Sequence, residues 1–407
     1  MSSLLRIAFR NVLRNRRRSI ITFSAIFLAL GVMVSIRGFL NGLQSTILES
    51  VILGQTGALQ VHRKGFLKSV NTSSLELDLP TDQAFLARIL AVQGVKAATA
   101  RIAFGGMVNA NDSTTVAMFS AIDPERETAV CPRRLEMISA GKTLAQVGPA
   151  SAILSPELAA NLGVHLTGKA TLLTNDKDGV MNALDFDYTG TYGQAGIALP
   201  DKKLGFVPLA FAQDLLRMPG RATEIAVAID RMDQAERLKP VLQAAVGPEY
   251  EVATWHDVAA FVDEAITYQN RTLNIIAGVF LFVALLGIAN TMLMSVLERT
   301  REIGTMMSVG VRRRQILWLF LLEAAMLGLA GGFLGAAAGG GFVAYYGHKG
   351  MILKFPGMLA PLHVYPNISA GYVCFVLMLA AGGAAMAALW PSVRASRMRP
   401  VEALASV

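Results

Sequence analysis

Four long apolar stretches interrupt the chain, at residues 20–40, 273–297, 316–344 and 371–393. Each approaches or exceeds the ~20 apolar residues that a helix needs to cross a hydrocarbon core of ~30 Å. Six arginines, Arg6, Arg10, Arg14, Arg16, Arg17 and Arg18, precede the first stretch, as they would in a signal peptide. No small-residue cleavage site follows, so the stretch is read as a retained helix. The pattern predicts a basic segment at 1–18, spans at 19–43, 271–297, 315–344 and 369–393, a large domain at 44–270, and a charged helix at 298–314. A short loop at 345–368 and a tail at 394–407 complete it.

Between the first two spans the periodicity is that of a mixed α/β domain. Residues 59–62, 152–154 and 224–229 read as strands, and residues 81–92, 156–162 and 232–245 have helical spacing. Runs 100–108 and 114–122 flank the polar turn 109–113 and predict a hairpin. Polar and Gly-rich residues 174–196 interrupt the pattern, which predicts two lobes meeting there. The expected fold is a membrane protein of four transmembrane helices with a large extracytoplasmic α/β domain between helices 1 and 2.

Charge orients this arrangement. The chain is 53% hydrophobic and only 16% charged, against roughly a quarter charged in soluble domains. Its formal net charge of +8 is concentrated beside the apolar runs, with no basic stripe carrying interleaved aromatics, so no nucleic-acid partner is expected. Arginines crowd residues 1–18, the segment 298–314 and the tail, whereas the loop between spans 3 and 4 has only Lys349 and Lys354. The positive-inside rule then puts both termini and the charged helix in the cytoplasm and the large domain outside. Cys374 lies in an apolar run, so no pair with Cys131 is expected and a disulfide framework is excluded.

The segment 298–310, ERTREIGTMMSVG, carries the most information. Glu298, Arg299, Arg301 and Glu302 set mixed charges on a short helix, and Gly304 and Gly310 permit close approach or a sharp turn. A solvated loop would explain the arginines but neither the glutamates nor the glycines. Gly328, Gly331, Gly332, Gly335 and Gly339 recur at spacings of three and four in span 3, a packing stripe rather than a ligand site. Glu323 lies inside that span, where a carboxyl is costly; an anchoring or conformational role is favoured over substrate or proton handling. No catalytic motif emerges. Gly141–Thr143 lacks the upstream glycine of a phosphate loop, the five histidines show no metal-ligand spacing, and Asp185 and Asp187 read as solvated carboxylates. The chain is therefore expected to be non-enzymatic.

The run 298–335, ERTREIGTMMSVGVRRRQILWLFLLEAAMLGLAGGFLG, resembles the permease family named for FtsX, which includes MacB and the lipoprotein-releasing LolC and LolE. So do PSVRASRMRPVEAL at 391–404, AFRNVLRNRRRS at 8–19 and SPELAANLGV at 155–164. The segment GALQVHRKGF at 57–66, the size of the outer domain and the lack of a fused ATPase resemble the LolC/LolE branch most. The resemblance implies a mechanotransmission permease that pairs with a second permease, identical or not, and with a cytoplasmic ABC ATPase dimer. ATP and Mg would be held by that partner, with no cofactor or metal in this chain. Glu298, Arg299, Arg301, Glu302, Ile303, Gly304 and Gly310 would form the ATPase-coupling element. The implied function is extraction of lipoproteins from the bacterial inner membrane and delivery to a periplasmic carrier. A MacB-like efflux permease for peptides or amphiphiles, or an FtsX-like signal transmitter, are the alternatives. A cargo entering from membrane lipid would meet Met33, Ile36, Phe39 and Leu40 on one side and Leu273, Ile276 and Phe280 on the other, since flexible and large apolar side chains suit acyl chains.

Overall fold

The computed structural model describes residues 2–14, 16–68, 75–136, 138–193, 203–354 and 361–397. It holds four helices long and apolar enough to cross a membrane: Arg16–Val51, Ala260–Glu298, Arg313–Lys349 and Ala370–Ser396. They are called spans 1 to 4. At 1.5 Å per residue, the 36 residues of span 1 extend roughly 54 Å, well past the hydrocarbon core. Its helix therefore does not stop at residue 43, because Ile47, Leu48 and Val51 continue the helical spacing of apolar side chains. Span 2 likewise begins at Ala260 rather than 271, with neither glycine nor proline between 260 and 270 to break it. The basic N-terminal segment, for which no structure was expected, is a helix over Ser2–Arg14. The tail beyond Arg397, with the second half of the closing motif, lies outside the described residues.

The chain divides into two units, one containing the spans and one containing residues 45–266 with 352–363. In the second, the elements Leu59–Arg63, Gln83–Leu90, Val95–Ala110, Glu224–Ile229, Ala235–Val246 and Tyr250–Thr254 form a βαββαβ lobe. Its four strands are antiparallel neighbours in the order Tyr250–Thr254, Leu59–Arg63, Glu224–Ile229, Val95–Ala110, with Leu59 opposite both Val227 and Thr254. Everything in the chain between Val95–Ala110 and Glu224–Ile229 is an insertion. Its strands Ser113–Ile122, Leu204–Pro208, Ser151–Leu154, Met181–Tyr192 and Lys169–Asn175 pair in succession and return to Val95–Ala110. Closing six strands into a ring leaves few free edges.

The two lobes thus share the long strand Val95–Ala110, and the polar segment 174–196 is not where they meet. Its described part is a hairpin within the ring, with Leu172 opposite Leu184. Residues that read as an interruption are the turn, where the Asp176 carboxylate accepts from the backbone N–H groups of Asp178 and Val180 at 3.0 and 2.8 Å. The other hairpin is tighter than its polar run predicts. Strands reach Ala110 and resume at Ser113, leaving Asn111 and Asp112 at φ 47° and 64°, the left-handed pair of a type I′ turn.

Within the spanning unit, span 3 is the axis. Half of its most apolar window is buried against 6% for span 2, so span 2 offers most of its side chains to lipid or to another chain. Gly331, Gly335 and Gly339 face span 1, and a β-carbon on Gly335 would lie 2.5 Å from the Phe27 carbonyl oxygen. Gly328 and Gly332 face span 4 at Ala380 and Ala384. Span 1 answers with Gly31 against Gly335 and Gly38 against Val343. Backbone contact at this range depends on small residues on both helices. Gly335→Leu is therefore expected to destabilise the protein by several kcal/mol, beyond the ~1–3 kcal/mol of ordinary overpacking. Gly340→Leu, where a β-carbon meets nothing within 4 Å, is the matched control and should leave thermal unfolding in detergent nearly unchanged.

Candidate functional site

The charged helix occupies Thr300–Ser308, shorter than the 298–314 expected, because Gly310 ends it. Gly310 has φ +99°, its N–H bonds the Met307 carbonyl, and the Val311 N–H bonds that of Met306, both at 3.1 Å. This is a Schellman termination. Val311 and Met306 pack against a small cluster of Val296, Ile303, Ile316, Phe320 and Ala395. The next helix is capped by the Gln315 side chain, which accepts from the Arg312 N–H at 2.9 Å.

Arginine and glutamate side chains tie this helix to its neighbours. Arg299 is buried; its Nε donates to Glu302 at 3.0 Å and its Nη1 to the buried Glu323 of span 3 at 3.4 Å. The guanidinium also lies 5.7 Å from the Phe320 ring centre. Glu302 in turn accepts from Arg14 of the N-terminal helix at 2.5 Å. Partial burial pushes the Glu302 carboxyl up, but donation from Arg299 and Arg14 outweighs it and holds the carboxyl below its ordinary range. Glu323 therefore has a charged partner across the helix turn, which fits an anchoring role. The seven expected coupling residues separate into two groups. Arg299, Ile303 and Gly304 face inward; Glu298, Arg301, Glu302 and Gly310 are exposed, with Arg301 lacking an ion-pair partner among the described residues. Sequence reasoning passed over Val309, which is 87% exposed at the tip of the turn. An apolar residue directly before a helix-ending glycine was the signal available.

A second arginine cluster also went unread. Past Val51, span 1 ends in a single π turn, Ile52–Thr56, whose carbonyls need partners. Arg101 Nη1 donates to the Gln55 carbonyl at 2.7 Å, and Arg134 Nε and Nη2 donate to Gly54 and Gln55 at 3.1 and 2.6 Å. Arg101 is itself buried and held in a fork by Glu127 at 3.1 and 2.6 Å. Burial favours its neutral form, but the carboxylates of Glu127 and Glu224 override this and push its pKa up. The carbonyls of this turn thus find their donors within the second unit.

Five of the seven expected cargo residues share one cleft between spans 1 and 2. Met33 and Ile36 line one wall and Leu273, Ile276 and Phe280 the other, around a narrow space of about 40 Å³. Phe39 and Leu40 do not line it. Arg37 closes its rim, donating to Asn270 at 3.0 Å and lying 5.8 Å from the Tyr372 ring centre; Gln44 bonds Gln269 and Asn270 a turn further on.

Four spans, a large domain between the first two and a charged helix between the second and third define a membrane permease. The chain belongs to the FtsX-like permease family: the model of the FtsX-like permease C-terminal region matches residues 274–400 and that of the MacB-like periplasmic core domain residues 19–245. It is 30% identical over 237 residues to the macrolide export ATP-binding/permease protein MacB of Bdellovibrio bacteriovorus, covering 55% of this chain and 35% of that protein. The uncharacterized ABC transporter permease YknZ of Bacillus subtilis is 32% identical over 155 residues, 38% of this chain and 36% of that one. The pyoverdine export protein PvdT of Pseudomonas entomophila is 33% identical over 188 residues, 46% and 25% respectively. The matched regions thus span about a third or less of these relatives. The periplasmic region of MacB from Actinobacillus actinomycetemcomitans aligns with 53% of this chain and 97% of its own at 11% identity and a TM-score of 0.37. The family models and the sequence relatives support the FtsX and MacB types without singling out the LolC/LolE branch.

The buried pair generates a stability prediction. Arg299→Ala leaves Glu323 buried without its cation and should cost ~3–5 kcal/mol, whereas joint Arg299→Met and Glu323→Leu should recover most of the loss. Arg14→Gln removes an exposed pair worth ~0–1 kcal/mol. Thermal unfolding of the full chain in detergent checks the order; an Arg299→Ala loss no larger than that of Arg14→Gln sinks it.

Proposed function

We propose that this permease is the membrane subunit of an ABC exporter in a bacterial cytoplasmic membrane, driven by a separate ATPase dimer and paired with a second permease. Both termini and the Thr300–Ser308 helix face the ATPase, as the arginine distribution supports, and the inserted domain faces outward. Arg301 and Val309 are the side chains offered to the ATPase, while Arg299 carries displacement inward to span 3 through Glu323. This inward anchorage is the observation that carries the reading: a helix tied by a buried ion pair to the central span moves with it rather than sliding over it. At the far end of span 1, the Arg101 and Arg134 clamp gives the inserted domain a stiff handle. ATP and Mg belong to the partner, in which hydrolysis takes place.

The cargo is an amphiphile or peptide that enters from the lipid through the cleft of Met33, Ile36, Leu273, Ile276 and Phe280. Relatives named for a cargo are exporters of macrolide or pyoverdine, which supports MacB-like export over lipoprotein release to a carrier. Two substitutions test the parts separately in proteoliposomes with the partner ATPase. Arg301→Glu should lower permease-stimulated ATP hydrolysis and transport together by tenfold or more, about 1.4 kcal/mol of coupling, with no change in unfolding temperature. Ile276→Asp should abolish amphiphile transport while ATPase binding persists. Unchanged hydrolysis and transport in the first removes the coupling assignment; equal loss of assembly in the second removes the cleft as the cargo path.

A further inference from the structure

The N-terminal helix Ser2–Arg14 has an exposed face that neither coupling nor cargo passage uses. Ala8 and Asn11 are buried, and Val12 packs against the spanning core. On the opposite side Arg6, Arg10 and Arg14 are all exposed. Their spacing of four sets the three guanidinium groups in one row along the helix. Phe9 and Ile7, 59% and 45% exposed, flank that row on either side. Arg16 extends the charge into the start of span 1, and no acidic residue occurs before Glu49. At Arg14 the row meets Glu302 of the coupling helix.

We infer that this face binds the anionic phospholipid headgroups of the cytoplasmic leaflet, and that a headgroup phosphate engaging Arg14 competes with Glu302 for it. The chemistry is selective. Guanidinium groups match phosphate oxygens in a planar fork, a row of like charges of which only Arg14 has a carboxylate partner among the described residues draws an anionic surface, and two flanking apolar side chains suit shallow insertion beside the headgroups. Span 1, which follows this helix in the chain, exposes Ile20, Ile21 and Leu28, an apolar surface suited to lipid on the neighbouring turns. Loss of Arg14 leaves Glu302 with Arg299 alone and frees the outer edge of the coupling helix. The charge of the leaflet thereby sets how firmly that helix is held before any ATPase acts. The inference rests on the proposed orientation.

Amide hydrogen exchange of the full chain tests it, in nanodiscs of phosphatidylcholine alone and of phosphatidylcholine with phosphatidylglycerol. Exchange across residues 300–308 should be about fivefold faster with the anionic lipid, the weight of one arginine at a charged surface. Raising the salt should remove that difference in the unaltered protein, and Arg6→Gln with Arg10→Gln should reduce it below about twofold. Identical exchange in both lipids, or a full response in the double variant, overturns the inference. So does protection of residues 6–14 by added ATPase with no lipid dependence, which would assign the face to that partner. Both leaflets of a nanodisc are accessible, so these outcomes do not depend on orientation. Labelling of a cysteine introduced at Arg10 in intact cells tests the orientation separately; reaction with an impermeant reagent there would overturn it.

Discussion

Arg299 is the side chain on which the spanning unit depends. A carboxyl within a transmembrane helix is tolerated only if a cation or a set of donors reaches it, and Glu323 receives Arg299 at 3.4 Å. The same guanidinium donates to Glu302, so the charge that neutralises span 3 also fixes the pitch of the short helix after span 2. Burial, charge and position become one constraint. A displacement of Thr300–Ser308 that broke the contact would leave two charges unpaired in a region with little water, a cost of several kcal/mol. Moving span 3 along with the helix avoids that cost, and span 3 in turn holds spans 1 and 4 through its glycine stripe.

A comparable constraint acts at the other end of span 1. A helix that leaves the membrane and stops must satisfy its last carbonyls. Here Arg101 and Arg134 supply donors from the inserted domain, and Glu127 balances both. An exposed helix end would find water and remain loose. A buried end closed by two guanidinium groups has its carbonyls satisfied without water. In both places arginine satisfies a helix terminus through geometry that lysine, a flexible point charge, does not reproduce.

Much of this was legible in the residues. Span number and the position of the charged helix follow from apolar runs and from where arginines fall, because the bilayer penalises misplaced charge at every such position. The glycine stripe and the intramembrane Glu323 were visible for the same reason, and the pairing of Met33 and Ile36 with Leu273, Ile276 and Phe280 followed from their similar depth. The helical ends were less legible. Residues 45–51 and 260–270 remain helical outside the apolar windows, where hydropathy no longer reports on them. The division of the inserted domain was misread because a polar turn held by Asp176 looks in sequence like a linker, while the strand shared by both lobes looks like any other.

What the sequence determined alone was thus everything that rests on local composition: four spans, an α/β insertion, and a charged helix ended by Gly310, whose φ of +99° only glycine adopts readily. Partner choice among like residues was left to the tertiary structure. Arg14, Arg299 and Arg301 are equivalent by type and neighbourhood, yet one lies on the N-terminal helix against Glu302, one is buried against Glu323 and one faces solvent. The same holds for Arg101 and Arg134, whose role as caps depends on a carbonyl about 50 to 80 positions away in the chain. Charge–charge and donor–acceptor energies fall with distance in space, not along the sequence, so only the folded chain could decide which arginine meets which carboxylate.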